Sequence, residues 1–427
     1  MCDFFPGQLI VCFPKVDTAA REVIRQIQEK EIGHVTHVES IDTRLARLDL
    51  PIDPTFEFEL HLLAVPPGQE TWKTNYLQFF YKHALLHSLS NVAANKAFAE
   101  AVNRSNLHFT VAPNHVLSLL QAGSPAHTVS AQNFTFGPYY DRYKQTVGLA
   151  GAPSPLRETV RVLILDSGVA SDSKIKTHSG RNFVDPTNPS NTADDLGHGT
   201  AVSLLVHDLA PFVEFVIFKV ADSTGRVSEW DAIAALVAKS DAHAVNLSLQ
   251  FGLSDRKCNT CGRESTASRS AVFENVIDQI SKRIPEPLIV AAAGNSGKSE
   301  LAFPARFSRV LAISSITSKN ELSSHSNFGD KDQTGGTHDN HFVLPGGETL
   351  AGQAESVLTD SFGGAYQGTS FAAAFATAVV ANRLSAQGLP SYQHDQFVTQ
   401  LRQNADSHSL SRYTQQKEKY GHGIMRA

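Results

Sequence analysis

Three short frames in this 427-residue chain carry, in order, an acid, a base and a hydroxyl. Asp166 stands in Val162-Leu163-Ile164-Leu165-Asp166-Ser167-Gly168, His198 follows 32 positions later in Gly197-His198-Gly199-Thr200, and Ser370 lies in Gly368-Thr369-Ser370-Phe371-Ala372. A hydroxyl is a weak nucleophile at neutral pH, so it needs an imidazole to take its proton and a carboxylate to hold that imidazole's tautomer. The order Asp, His, Ser is one of three chain orders that build such a relay. Each frame alone has an ordinary explanation: a turn after a strand, a structural histidine in a loop, a serine capping a helix. A fourth frame, Ile289-Val290-Ala291-Ala292-Ala293-Gly294-Asn295-Ser296-Gly297, presents Asn295 in a small-residue turn at the end of an apolar run. Four frames in order, each at a predicted strand end or helix start, argue for nucleophilic catalysis over coincidence.

The frames resemble those of the subtilisin-like serine proteases over roughly residues 156 to 427. The resemblance implies a doubly wound, mostly parallel α/β sheet domain in which Ser370 attacks a peptide carbonyl, His198 moves the proton and Asp166 orients the imidazole. Asn295 and the Ser370 N–H then hold the oxyanion. It also implies that Asn246-Leu247-Ser248-Leu249-Gln250-Phe251-Gly252 is the edge on which a peptide adds as a strand. Ser248, Leu249, Gln250 and Gly294 are the substrate-facing residues on this reading. Two positions depart from the family. Gln250 replaces the usual Gly, which puts a side chain on the pocket for the residue preceding the scissile bond and admits a smaller or polar residue there. Ala374 replaces the usual Pro and leaves the nucleophile's helix start less rigid. Lys419-Tyr420-Gly421-His422-Gly423-Ile424-Met425 resembles the segment that closes the catalytic domain. No cofactor is required; calcium commonly stabilises the family, but no run of alternating acids is dense enough to assign a site. Other serine hydrolases fit less well, because Gly368 to Ala372 lacks the second glycine of a nucleophile elbow and the chymotrypsin-like order differs.

The elements that must position these residues show in the apolar pattern. Val160 to Leu165, Val213 to Val220, Ala244 to Leu249, Leu288 to Ala293 and Val310 to Ile316 are short continuous runs, as parallel strands covered on both faces read. Upstream, Gln8 to Pro14 reads as a strand, and Asp17 or Thr18 caps a helix with Ala20, Val23, Ile24 and Ile27 on one face. Alternating stretches follow at His34 to Ile41 and Thr43 to Leu50, then a strand over Phe56 to Val65, a helical region from about Thr71 to Asn103, and Leu107 to Val116. This order resembles the propeptide of the same family, an unrelated α+β domain being the alternative. The expected organisation is a propeptide-like α+β domain over 1–120, an exposed Gly/Ser/Pro-rich linker with autoprocessing over 121–155, and a peptidase domain over 156–427. The propeptide resemblance implies that the first domain's tail occupies the cleft as an intramolecular partner.

Composition narrows the class. At 41% hydrophobic and 19% charged the chain can bury a large core, and a net charge of −5 gives no electrostatic reason to expect nucleic acid as a partner. No segment reads as membrane-spanning. Met1-Cys2-Asp3-Phe4-Phe5-Pro6 lacks the basic n-region of a signal peptide, and Cys2, Cys12, Cys258 and Cys261 are too few for a disulfide framework, so a cytoplasmic protein is expected. Cys258-Asn259-Thr260-Cys261 is half of a zinc site without a second half; a surface loop with two thiols and a redox switch are the readings it allows. A protein or peptide is the expected substrate. A catalytically silent or permanently autoinhibited binding module is the alternative from another class.

Overall fold

A computed structural model describes residues 4–30, 37–64, 110–119, 129–151, 158–251, 270–283, 285–349, 355–389, 392–407 and 411–427. The helical region expected over Thr71 to Asn103, the two ends of the linker at 121–128 and 152–155, and Cys258 with Cys261 lie outside them; the rest of the stretch expected to be an exposed linker carries the helix Tyr140–Thr146, whose Tyr140 and Tyr143 are buried in the core. The chain divides into two compact units. One comprises residues 1–116, 228–239 and 252–279, and the other 117–227, 240–251 and 280–427.

The larger unit is built on a seven-stranded sheet, ordered His341–Pro345, Leu311–Ile316, Leu288–Ala292, Ala244–Leu247, Arg161–Asp166, Glu214–Lys219, Thr177–Asn182. All of its pairings are parallel. The continuous apolar runs explain why: Val162, Leu163, Ile164 and Leu165 are all buried, as strands covered on both faces must be. From Arg161–Asp166 the chain builds outward first on one side, through Glu214–Lys219, and then on the other, through Ala244–Leu247. That reversal marks a switch point, where a doubly wound sheet opens a crevice at the strands' carboxyl ends. Asp166 is the last residue of this strand.

Two helices pack into the same core. His198–Leu209 buries Ala201, Val202, Leu205 and Val206, and Thr369–Gln387 buries almost every side chain from Thr369 to Ala381. Asn382 joins them, its Nδ2 donating to the Leu209 carbonyl at 3.0 Å. Phe375 anchors the second helix against Tyr140 and Tyr143, with both ring centroids 6.1 Å away.

The smaller unit contains an antiparallel sheet in the order Thr110–Leu119 (its residues 110–116), Phe4–Pro14, Phe58–Ala64, His37–Ser40, with helices Thr18–Lys30 and Ile41–Arg47. It also takes in the helix Glu229–Val237 from much later in the chain. Trp230 Nε1 donates to Glu39 at 3.0 Å, Arg44 pairs with Asp231, and His115 Nδ1 pairs with Glu229. Asn114 joins the same strip, its Oδ1 accepting from the Trp230 N–H at 2.9 Å. The stretch from Thr43 to Leu50, alternating in sequence, turns out helical from Ile41 to Arg47. Ser40 caps the start by accepting from the Thr43 N–H, and Ile41, Leu45 and Leu48 bury one face at helical spacing.

Burial holds two histidines of the larger unit neutral. His341, whose Nε2 meets Ser314 Oγ at 2.8 Å, is pushed down to about 3, and His325 to about 4 against the opposing pull of Glu348. Folded-state values below the unfolded 6.5 mean that these sites stabilise fully above pH 6.5 and lose that contribution as pH falls toward 4 and then 3. Urea midpoints measured at descending pH should drop from about pH 6.5 downward, by on the order of 3 kcal/mol for His325 alone. Replacing Phe375 by Ala should remove about 3–5 kcal/mol of unfolding free energy in the same assay.

Candidate active site

The crevice at the end of Arg161–Asp166 receives the N-termini of both buried helices. His198 is the first residue of one and Ser370 the second of the other. The Asp166 carboxylate accepts from His198 Nδ1, with Oδ1 at 2.8 Å and Oδ2 at 3.0 Å, and its Oδ1 also accepts the Ser167 N–H at 2.8 Å. An ionised carboxylate only accepts, so the ring proton sits on Nδ1 and the lone pair on Nε2. That Nε2 is buried and has no hydrogen-bond partner. The Ser370 hydroxyl donates instead to the Ser248 carbonyl at 3.3 Å. Asp166 and His198 thus stand joined, with the Ser370 hydroxyl resting on a neighbouring carbonyl.

The glycines of the histidine frame have a physical reason. A Cβ at Gly199 would stand 2.2 Å from the Gly168 carbonyl oxygen and 3.1 Å from Asp166 Cβ, so only glycine lets the helix start approach the acid this closely. A residue that the sequence reading missed holds the frame in place. Asp194 is buried, and its Oδ1 accepts the N–H groups of Leu196 (2.9 Å) and Gly197 (2.8 Å). Its Oδ2 accepts the Thr200 N–H (2.8 Å) and hydroxyl (2.6 Å). Thus one carboxylate satisfies both the turn before His198 and an orphan donor of the helix's first turn. The signal was present as an acid a few residues before a helix start, indistinguishable in sequence from its exposed neighbour Asp195.

Asn295 follows the strand Leu288–Ala292, as its frame predicts. Its Oδ1 accepts from the Thr369 N–H and the Thr369 hydroxyl, each at 2.9 Å. Two donors on the oxygen fix the carboxamide's orientation. Its Nδ2 lies 2.7 Å from where a Cβ on Gly368 would stand, two residues before Ser370. The Ser370 N–H belongs to the first helical turn, whose donors have no partner within the helix. Two N–H donors of this kind beside a hydroxyl can stabilise negative charge on a carbonyl oxygen. Apolar rings close the other side: Phe371 meets the His198 ring edge-on at 5.7 Å, and Tyr366 and Phe134 extend the wall. With His198 and Ser370 fully buried, these electrostatics act with little solvent screening.

The apolar run that reads as one strand over Ala244 to Leu249 breaks at Ser248 into Ala244–Leu247 and Leu249–Phe251. Ser248 Oγ shares its proton between Asn246 Oδ1 (2.8 Å) and the Ser370 carbonyl (3.2 Å), and Asn246 Nδ2 donates to Thr377 in the serine's helix at 2.9 Å. The second strand pairs antiparallel with Leu117–Leu119, in the register Leu249 with Leu119, Gln250 with Ser118 and Phe251 with Leu117. Leu119 also donates its N–H to the Gly225 carbonyl at 2.9 Å. Gln250 is buried with its Oε1 beside Gly294. Among the described residues no three His, Cys, Asp or Glu side chains converge to hold a metal ion, and calcium has no assigned place.

Asp194→Ala leaves four donors without their carboxylate. An unfolding free energy lower by at least about 2 kcal/mol is expected, with displaced His198 imidazole resonances by NMR; unchanged resonances would deny Asp194 its positioning role.

The subtilase family model matches residues 157–423 of the chain. Subtilisin BL of Lederbergia lenta is 31% identical over 181 residues, covering 40% of this chain and 60% of that protein. Alkaline elastase YaB of Bacillus sp. is 28% identical over 279 residues, 63% of each chain. The chain therefore spans about 60% of the length of these curated relatives. Among solved structures, the epidermin leader peptide processing serine protease of Staphylococcus aureus superimposes with a TM-score of 0.58 at 16% identity, over 98% of this chain and 96% of that one, a likeness of fold. With its parallel sheet, its acid, base and hydroxyl in this order and a family match over most of its length, the chain belongs to the subtilase family.

Proposed function

We propose that the chain is a serine endopeptidase in which Ser370 is the nucleophile, His198 the general base and acid, and Asp166 its orienting carboxylate. The observation that carries the reading is the Asp166–His198 pair at 2.8 Å with a lone pair left on Nε2 and Ser370 at the adjoining helix start. Rotation of the Ser370 side chain away from the Ser248 carbonyl brings its proton to that lone pair. The oxygen then attacks the peptide carbonyl carbon, and negative charge on the carbonyl oxygen meets the Ser370 N–H and Asn295 Nδ2. His198 passes the proton to the departing amine. Water, deprotonated by the same imidazole, releases the acyl group and restores the serine.

The substrate backbone lies along Leu249–Phe251 as an added antiparallel strand, which supplies main-chain hydrogen bonds for any peptide sequence. Support comes from Leu117–Leu119, which already occupy that edge in strand geometry. The same pairing supports restraint of the enzyme by its own N-terminal segment, with residues 1–120 acting as a propeptide and cleavage following within 121–155. The buried, resting serine fits a restrained enzyme. It equally fits the silent binding module, which differs in never reacting.

A fluorophosphonate probe separates the two. Wild type should be labelled at Ser370, and its mass should reveal a new N-terminus between about 117 and 155 that Ser370→Ala lacks; a chain that neither labels nor processes itself would sink the endopeptidase reading. Asn295→Leu should lower kcat with little change in KM. Removing the comparable donor from subtilisin costs about 10²–10³ in turnover, and the same range is expected here.

A further inference from the structure

Resting on the endopeptidase reading, we infer that Gln250 and Asn327 together form a polar pocket that selects a neutral hydrogen-bonding side chain immediately before the scissile bond. The place follows from the site's own geometry. The carbonyl under attack must lie between Ser370 and Asn295, while the peptide runs antiparallel on Leu249–Phe251. The side chain that precedes the scissile bond is therefore carried past Gly294, the residue immediately before Asn295. Two amides crowd that point. A Cβ placed on Gly294 would lie 2.5 Å from Asn327 Nδ2 and 2.9 Å from Gln250 Oε1.

Both of these atoms are buried and neither has a hydrogen-bond partner among the described residues. Asn327 cannot relieve this by turning over. Its Oδ1 accepts the N–H groups of Ser296 (2.9 Å) and Lys298 (3.1 Å), and its own N–H donates to the Gly294 carbonyl at 2.8 Å. The NH2 end therefore faces the pocket as a fixed donor. Gln250 reaches the same point from the substrate strand with an acceptor. Leaving both unmade in a buried place is unfavourable, and a large apolar side chain would prolong that penalty. A serine or threonine hydroxyl, or an asparagine or glutamine carboxamide, both donates to Gln250 Oε1 and accepts from Asn327 Nδ2. Sites built to hydrogen-bond a substrate group reject analogues that lack it far more strongly than apolar pockets discriminate by size. The Gln250 side chain also takes up room, so the smaller members of this class fit best.

The test is a peptide mixture digested with the full chain and sequenced by mass spectrometry, alongside fluorophosphonate labelling. Cleavage should concentrate after Ser, Thr, Asn and Gln. Gln250→Gly should enlarge the pocket and shift kcat/KM toward Leu, Phe and Tyr at least 10-fold relative to Ser. Asn327→Asp, nearly isosteric, keeps the acceptor for Ser296 and Lys298 while replacing the donor by a charge, and should move the preference to Lys and Arg. Labelled enzyme that cuts after large apolar residues, with both variants unchanged in preference, would overturn the pocket and leave the peptidase reading intact. Absence of both labelling and cleavage would overturn the two together.

Discussion

A parallel strand whose neighbours are built outward in opposite directions leaves its carboxyl end uncovered, because no crossover has to pass over it. Arg161–Asp166 is that strand, flanked by Glu214–Lys219 and Ala244–Leu247. Everything chemical here depends on that gap. It exposes the Asp166 carboxylate to the starts of two helices, and helix starts present unpaired N–H groups and a positive field. His198 on one helix and Ser370 on the other are held at this end of the sheet because both helices are sunk in a common core around Phe371, Phe375 and Val202. The rigidity that catalysis needs is thus ordinary core packing, directed at one point.

Much of this was legible in the chain. The strands under the sheet read as continuous apolar runs because both of their faces are covered, and the four chemical frames read clearly because glycines bound them. What was hidden depends on the fold. Asp194 looks like Asp195 until the turn closes around its carboxylate. Asn327 lies far in sequence from Gly294, and only the fold brings its amide there. The strand His341–Pro345 begins with a histidine and ends with a proline, which disguises a fully buried edge of the sheet. The helix Ile41–Arg47 carries β-branched residues that suggest a strand, and the Ser40 cap together with burial of Ile41 and Leu45 overrides them.

The smaller unit is a composite, because Glu229–Val237 is separated from the N-terminal strands by more than a hundred residues and yet folds with them. The joint is unusually polar. Trp230 is tied to Glu39, Asp231 to Arg44, and Glu229 to His115. Burial raises Asp231 to about 6 even with Arg44 opposing the shift. Buried pairs of this kind add little net stability but are costly to break one partner at a time. Their geometry matches particular side chains across the joint, which favours this one pairing of surfaces.

Asn246 lies on the strand Ala244–Leu247 and Ser248 at the break before Leu249–Phe251, and both hold onto the helix of Ser370, Ser248 through the serine's own backbone and Asn246 through Thr377. Thermal motion displaces every element by tenths of an ångström. Because this stretch of the sheet and the helix that carries Ser370 are fastened to each other, they are displaced in company. Movement common to both leaves the spacing between them unchanged, much as a differential amplifier rejects noise common to its two inputs.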